Sequence, residues 1–130
     1  MWRKVFVAVA ILWGLPGIST AEEAHVLYNL VTKSATSAAI ASDTVLWTPA
    51  SGKRIAVMGC AVSSGGAQQT LLELNNEPVL PRIYTAADTN YQTAVGSTPL
   101  RVGATDETLT YTTSSTTTTT IVCTGYEYQG

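Results

Sequence analysis

The chain has 130 residues, with seven Lys and Arg against nine Asp and Glu, which give a formal net charge of −2. Only 12% of the residues are charged and 45% are hydrophobic, a balance that argues against general disorder. One domain is the natural count at this length. The negative charge argues against a nucleic-acid partner, which requires a basic surface. One His and two Cys are too few ligands for a zinc site, so we expect neither a metal nor a cofactor.

The N-terminus has the order of a secretory signal peptide. A basic pair, Arg3–Lys4, precedes an apolar run over residues 5–15, and small residues at Ser19 and Ala21 come before an acidic pair. This order predicts a helical, signal-like segment over residues 1–21 that is removed on export. The apolar run is shorter than the ~20 residues that a membrane-spanning helix needs. An uncleaved anchor and a buried strand are the alternatives.

The remaining residues, 22–130, are predicted to form one domain built of strands. Apolar residues do not keep a helical period over ten positions, and turn signals recur about every 8–12 residues, as in antiparallel sandwiches and barrels. The predicted strands cover residues 25–32, 44–48, 53–63, 69–74, 78–84, 107–113 and 116–128, with turns at 49–52, 64–66 and 75–76. Residues 33–42 are predicted to form a loop or a weak edge strand, and residues 86–103 a loop with one or two short strands.

The strongest predicted strand is Lys53–Ser63, which has apolar side chains on both faces. Strict alternation places Ile55 and Val57 on one face. The other face receives Ala56, Met58, Cys60 and Val62. Apolar residues on both faces are typical of a central strand, and we expect this strand to pair with the closing strand, residues 118–128.

The two cysteines, Cys60 and Cys123, lie in the middle of these two predicted strands. Disulfides form and persist in exported proteins, and closing so long a loop is worth on the order of 3–4 kcal/mol in the chain-entropy model. We therefore predict a structural disulfide, with two free buried thiols as the alternative. A catalytic Cys–His pair is not expected, because the single His, His25, lies near the start of the domain.

The run Thr116–Thr120 is predicted to be an edge or the start of the closing strand, because it leads directly into an apolar segment. A glycosylated stalk would be rich in Pro and lie outside a fold. An ice-binding array would need a regular repeat over several turns.

Carboxylates occur beside predicted turns at Asp106–Glu107, at Glu73 and Glu77, and at Asp88. Paired carboxylates can catalyse glycoside hydrolysis or bind calcium, but acidic residues beside turns are most often simply solvated. Motifs of serine and zinc hydrolases or of phosphate-binding loops do not occur in the sequence. We therefore expect no catalytic residue, no metal ligand and no enzymatic activity.

The aromatic residues are predicted to divide between the core and the surface. Trp47 alternates with Val45 and is expected in the core, whereas Tyr126 and Tyr128 share one face. Tyr84 and Tyr91 flank a predicted loop, which makes them the candidates for contact with a partner.

Three motifs within residues 44–130 resemble one class of proteins. They are Thr48–Ile55 (TPASGKRI) before an apolar strand, Asp106–Ser114 (DETLTYTTS), and Gly125–Tyr128 (GYEY) at the end of a Thr-rich strand. Together they resemble small jelly-roll proteins found on tailed-phage particles as head decoration, fibre or tail-associated modules. The resemblance implies an all-β, antiparallel jelly-roll sandwich, often trimeric, that binds a capsid lattice or a cell surface and has no catalytic residues.

Two functions are therefore expected. The first is a non-enzymatic structural or interaction module on a virion or particle surface, a homo-oligomer whose partner is a protein lattice or a cell surface. The alternative is an exported carbohydrate- or cell-surface-binding domain, secreted or periplasmic and without a membrane-spanning part, which the signal-like segment and the loop tyrosines favour. A small hydrolase would require two carboxylates converging in a pocket, one with a strongly raised pKa.

Overall fold

A computed structural model describes residues 29–130, which form two antiparallel β-sheets stacked on each other. The signal-like segment 1–21 with its expected helix, and His25, lie outside the described residues. The strands in chain order are β1 (Val31–Ser37), β2 (Thr44–Trp47), β3 (Lys53–Ser64), β4 (Gln68–Leu74), β5 (Glu77–Pro78), β6 (Ile83–Thr85), β7 (Thr89–Gln92), β8 (Arg101–Val102), β9 (Leu109–Thr113) and β10 (Thr119–Gln129). Residues 29–130 contain no helix long and apolar enough to cross a membrane.

Each sheet has five strands. Sheet A has the order β1-β10-β3-β7, with β8 also paired to β3, and sheet B has the order β2-β9-β4-β5, with β6 also paired to β4. The chain crosses from one sheet to the other between β1 and β2, β2 and β3, β3 and β4, β6 and β7, β8 and β9, and β9 and β10. The predicted all-β antiparallel sandwich is confirmed, as is the pairing of the strong central strand β3 with the closing strand β10.

Two predicted strands differ from the structure. Of the first, expected over residues 25–32, residues 25–28 lie outside the described part of the chain. Asn29 and Leu30 are not in a strand, and β1 runs from Val31 through Ser37, into the segment predicted to be a loop or weak edge strand. The predicted strand 78–84 is interrupted, leaving β5 and β6 as short separate partners of β4. Pro81 lies between them, and a proline has no N–H to donate to a ladder.

Two tight turns form where the sequence predicts them. Lys53 N–H donates to the Ala50 carbonyl over 3.0 Å, and Gly52 has φ of +81°, the pattern of a type II turn that needs glycine at its third position. Asn75 and Asn76 have φ of 58° and 59°. Two consecutive residues with positive φ form a type I′ hairpin turn, which joins β4 to β5.

The hydrophobic core lies between the sheets. Its fully buried side chains come from both sheets: Trp47, Leu72, Leu74 and Leu109 from sheet B, and Ile55, Val57 and Ile121 from sheet A. Full burial of one such side chain is worth about 1.5–3 kcal/mol. Trp47 is 1% exposed, so its predicted core position is confirmed.

A β-bulge in β3 changes which residues face this core. The β3–β10 register shifts between Thr124 and Gly125, which leaves Met58 without an opposing residue on β10. A bulge inserts one extra residue and so reverses the alternation beyond it. The core therefore contains Ile55, Val57, Cys60 and Val62 together. The prediction that Cys60 and Val62 lie on the face opposite to Ile55 and Val57 is wrong for this reason.

The interior of the sandwich is polar at the end near the turn between β9 and β10. Gln68, which is 3% exposed, organises the hydrogen bonds there. Its Oε1 accepts the backbone N–H groups of Ser114 and Ser115, each over 2.9 Å. Its Nε2 donates to Thr119 Oγ1 over 2.8 Å and to the Ser115 carbonyl over 3.2 Å. The Gln68 side-chain amide thus supplies hydrogen-bond partners to backbone groups that have none within the turn between β9 and β10.

The Thr run is confirmed as a strand start, since Thr119 opens β10 and is fully buried. The expected edge position is wrong for β10. This strand lies between β1 and β3, where the Thr119 hydroxyl accepts Gln68 Nε2–H and donates to the Thr117 carbonyl.

Candidate interaction face

Part of the outer face of sheet A is uncharged across four strands. Alternate residues of β1, of β7, of Ala61–Ser63 in β3 and of Thr120–Thr124 in β10 point away from the core, and we call this set the threonine face. Its members are Thr32, Ser34, Thr36, Ala61, Ser63, Asn90, Gln92, Thr120, Val122 and Thr124. None of these side chains ionises, although charged residues are the usual occupants of solvated surface. Outward residues nearer the start of β3 lie outside this set and include Arg54, which is opposite Tyr128. The face offers hydroxyl and amide groups and small apolar side chains, which suit close packing against another surface.

Hydroxyl pairs across β1 and β10 order this face. Thr32 Oγ1 lies 3.2 Å from Thr124 Oγ1, and Thr36 Oγ1 lies 3.1 Å from Thr120 Oγ1. Directly opposed Thr pairs of this kind contribute a few tenths of a kcal/mol to about 1 kcal/mol to a sheet. The hydroxyl pairs therefore hold these threonine side chains in fixed rotamers in the absence of a partner.

Two shallow hollows lie at the margins of the face. The smaller, about 210 Å³, lies over Gly59 and Ala61 beside Val95 and Val122. A Cβ on Gly59 would come within 3.1 Å of Val95 Cγ2, so the glycine allows the Val95 segment to lie close to the sheet. The larger hollow, about 400 Å³, is lined by hydroxyl groups and by the Asp88 carboxylate.

The predicted disulfide lies directly under this face. A disulfide joins Cys60 and Cys123, which are 4% and 0% exposed and lie opposite each other in the β3–β10 ladder. Their sulfur atoms are part of the core between the sheets. The bond fixes the two central strands that carry most of the threonine face.

A second polar cluster is centred on Glu127 near the end of β10. The Glu127 carboxylate accepts Trp47 Nε1–H over 2.8 Å and the Ala50 N–H over 3.0 Å. The Ala50 hydrogen bond lowers the pKa of Glu127, with smaller contributions from the Trp47 hydrogen bond and from the charges of Lys53 and Lys33, while burial opposes them. Glu127 is therefore held ionised and joins β10 to the segment after β2.

The predicted contact residues Tyr84 and Tyr91 lie in different sheets. Tyr84 is 70% exposed and lies between buried neighbours on β6, so its ring points outward from sheet B. Tyr91 pairs with Val62, a core residue of β3, and therefore lies on the core side of sheet A near its edge. The two rings do not form one aromatic platform. Their role in binding a partner stays a prediction.

The carboxylates named from the sequence brace turns or lie at the surface. Asp106 Oδ1 accepts the Gly52 N–H over 2.6 Å, and Glu77 lies 3.5 Å from the Arg101 guanidinium in an exposed pair. Among residues 29–130, no group of three His, Cys, Asp or Glu side chains lies close enough together to hold a metal ion.

Neither protein-family models nor curated protein sequences match this chain.

Sequence reasoning missed two residues that shape this region. Gln68 was placed before the strand Gln69–Leu74, and its partners lie 46 to 51 residues away in the chain. No role was predicted for Glu127, because it is a single acidic residue between two tyrosines. The available signal for Gln68 was the Ser- and Thr-rich turn between β9 and β10. Such a turn leaves backbone N–H and C=O groups without partners, and a side-chain amide bonds to both kinds of group.

Proposed function

We propose that this protein is a non-enzymatic jelly-roll module of a virion or particle surface. It acts through contact, as a homo-oligomer that binds a protein lattice or a cell surface. The single observation that carries the proposal is the threonine face, a broad sheet surface of small uncharged side chains.

The strand order supports the jelly-roll assignment. When β5 with β6, and β7 with β8, are each counted as one interrupted strand, eight strands divide four and four between the sheets. Repeated crossing between two antiparallel sheets is the arrangement of double-sheet jelly rolls, which are common in capsid and lectin domains. The resemblance of the TPASGKRI and DETLTYTTS motifs to phage decoration and fibre-associated proteins favours the same assignment.

The composition of the face supports a contact role. A protein–protein interface is depleted of charged residues at its centre, and a buried unpaired charge is costly. The threonine face meets this requirement over β1, β10, β3 and β7. The disulfide beneath it reduces the loss of conformational freedom when a partner binds.

Density-gradient fractionation of the virions or particles from producing cells tests the particle role. We expect the wild-type chain to sediment with the particles, and Val122→Lys to remain at the top of the gradient because it places a charge at the centre of the threonine face. Thr110→Lys is the matched control, because it adds the same charge to the outer face of sheet B. Wild-type chain that remains at the top of the gradient would overturn the proposal.

The alternative, carbohydrate binding by an exported domain, is favoured by one observation. Tyr84 lies beside Gln69 and Ser114 in a shallow hollow of about 190 Å³ on sheet B, and an exposed ring next to amide and hydroxyl groups suits stacking on a sugar. A glycan array should then give hits that Tyr84→Ala removes and Tyr91→Ala retains. An array with no hits for the wild type would exclude this function.

A further inference from the structure

The strand β1 forms one edge of sheet A. Within the described part of the chain it pairs with β10 alone, over all of its seven residues. A strand at a sheet edge presents a row of N–H and C=O groups that can pair with another chain.

The disulfide site shows which backbone groups of β1 point outward. Cys60 N–H donates to Thr93 Oγ1 over 2.9 Å, and Cys60 C=O accepts the Thr93 N–H over 2.9 Å. Cys60 thus directs its backbone groups away from β10. Its partner Cys123 must therefore direct its own groups toward β1, because hydrogen-bonded and non-hydrogen-bonded pairs alternate along antiparallel strands.

It follows that Lys33, which lies opposite Cys123, uses its backbone groups in the ladder with β10. By the same alternation, the N–H and C=O groups of Thr32, Ser34 and Thr36 point out of the sheet edge. These three residues also expose their side chains on the threonine face.

Natural edges carry prolines, bulges, or charged residues that point outward or inward and prevent pairing. Of these devices, β1 has one, an inward-pointing charge. The seven residues of β1 include no proline, and their one charged residue, Lys33, lies on the core side with Val31 and Ala35. There Lys33 lines the same hollow as Glu127 of its own chain.

Exposed apolar residues flank this edge. Leu30, directly before β1, is 52% exposed, and Ile40, three residues after it, is 64% exposed. Val45 on the edge strand of sheet B is 52% exposed. Leu30 and Ile40 thus lie at the two ends of β1, where a strand paired along the whole edge would reach both.

We propose that β1 pairs antiparallel with β1 of a second copy of this chain, about a two-fold axis at Ser34. The two copies of sheet A then become one continuous sheet. In this register Ser34 lies opposite Ser34 of the second copy, and Thr32 lies opposite Thr36. The outward backbone groups form about six hydrogen bonds across the junction.

The sequence of β1 favours a second copy as the occupant. Thr32 and Thr36 are placed symmetrically about Ser34, so the hydroxyl pairs of the threonine face continue across the junction. Lys33 lies opposite Ala35 of the second copy, not opposite another lysine. The Leu30 end of one copy lies beside the Ile40 end of the other, which covers both apolar side chains. A two-fold contact uses the same patch on both subunits, which this symmetry provides.

Charge substitutions at Ser34 test the register. The axis places residue 34 of one copy against residue 34 of the other. Ser34→Lys and Ser34→Glu should therefore each halve the molecular mass that sedimentation velocity gives for the protein. An equimolar mixture of the two variants should restore the wild-type mass, since opposite charges then meet at the junction. Ser34→Ala, which keeps the backbone groups, and Thr110→Lys, on sheet B, should both retain the wild-type mass.

Three results would overturn this contact: a monomeric wild type, Ser34→Lys that keeps the wild-type mass, or a mixture that does not recover it. A monomeric wild type is also the result expected if residues before Asn29 occupied the edge within one chain. The inference deepens the proposed function by naming one partner, and the two fail separately. Loss of co-sedimentation with particles leaves the mass pattern unaffected. A monomeric wild type removes the homo-oligomer from the proposed function but leaves co-sedimentation with particles unaffected.

Discussion

Cys60 and Cys123 lie directly opposite each other in the ladder between β3 and β10, with their Cα atoms 4.1 Å apart. This separation is close to the ~4.5 Å of a non-hydrogen-bonded antiparallel pair. The backbone groups of Cys60 accordingly bond to Thr93 on the opposite side of β3. The disulfide therefore links residues that the sheet already holds together, and it acts mainly on the unfolded chain.

Removal of the disulfide should lower the free energy of unfolding by about 2–4 kcal/mol, because the bond closes a long loop in the unfolded state. The double variant Cys60→Ala/Cys123→Ala should melt at a lower temperature than the oxidised wild type, and a reductant should lower the melting temperature of the wild type alone. Intact-mass measurement should show the wild type about 2 Da lighter than its reduced form, since the bond removes two hydrogens. Equal melting temperatures with and without reductant would contradict the bond.

Substitution of Gln68 should destabilise the polar end of the sandwich. Gln68→Leu should cost about 1–3 kcal/mol, because the Ser115 N–H loses its acceptor and the Thr119 hydroxyl loses a donor. Gln68→Glu keeps the acceptor but places a second carboxylate oxygen against the Ser115 carbonyl. Burial and these oxygens should raise the pKa of the new carboxyl group above its unfolded value.

The two Gln68 variants should then differ in their response to acid. A group whose folded pKa is raised contributes stability below its unfolded pKa and loses it as the pH rises through the folded pKa. Gln68→Glu should therefore recover stability relative to the wild type as the pH falls, whereas the deficit of Gln68→Leu stays constant. Chemical denaturation at several pH values measures this, and parallel curves for both variants would contradict the hydrogen-bond assignment.

Gly125 should not tolerate a side chain. A Cβ at this position would collide with the Ala56 carbonyl oxygen and lie 3.2 Å from Trp47 Cζ3, so Gly125→Ala should cost about 1–3 kcal/mol or more by overpacking. Gly65→Ala is the matched control, because nothing lies within 4 Å of its Cβ. We expect Gly65→Ala to be neutral or stabilising by up to about 1 kcal/mol. Similar thermal unfolding of the two variants would contradict the close approach of β10 to β3.

Glu127 should make stability depend on pH on the acid side. Its folded pKa lies below the ordinary value of 4.5, so the stability it contributes is present above that value and is lost as the pH falls through the folded pKa. The stability difference between wild type and Glu127→Gln should be constant at neutral pH and shrink in acid. A stability difference that does not change with pH would contradict a contribution of the Glu127 charge to stability.

The pairing of the cysteines was predictable because both lie near the middle of long predicted strands that were expected to pair. A strand that is apolar on both faces, such as β3, is central and has a neighbour on each side, and the closing strand is long enough to be one of them. The turns at Gly52 and at Asn75–Asn76 were predictable for a different reason: these residue types tolerate positive φ, and few others do.

The bulge at Met58 was not predictable from alternation. Both faces of β3 are apolar, so the sequence fits either register equally well, and the choice is made by contact with β10. Gly125, which lies close to the Ala56 carbonyl and to Trp47, is part of that contact, but its position opposite β3 appears only after folding. The role of Gln68 depends in the same way on partners on β9 and β10.

The candidate face was only partly predictable. The sequence predicts one strand of it, the Thr-rich closing strand. It does not predict that Thr32, Ser34 and Thr36 lie beside that strand, because the first strand was expected to end at residue 32. The tyrosines chosen as contact residues were selected for their chemistry, which does not determine the sheet on which a ring lies.

The position of β10 between β1 and β3 has a consequence for biosynthesis. Sheet A joins residues far apart in the chain, such as Val31 with Gly125, so its contact order is high and its folding is expected to be slow. The sheet cannot form until residues 119–129 have left the ribosome. Until then β3 exposes its apolar faces without a central partner, a state in which nascent chains recruit chaperones or aggregate.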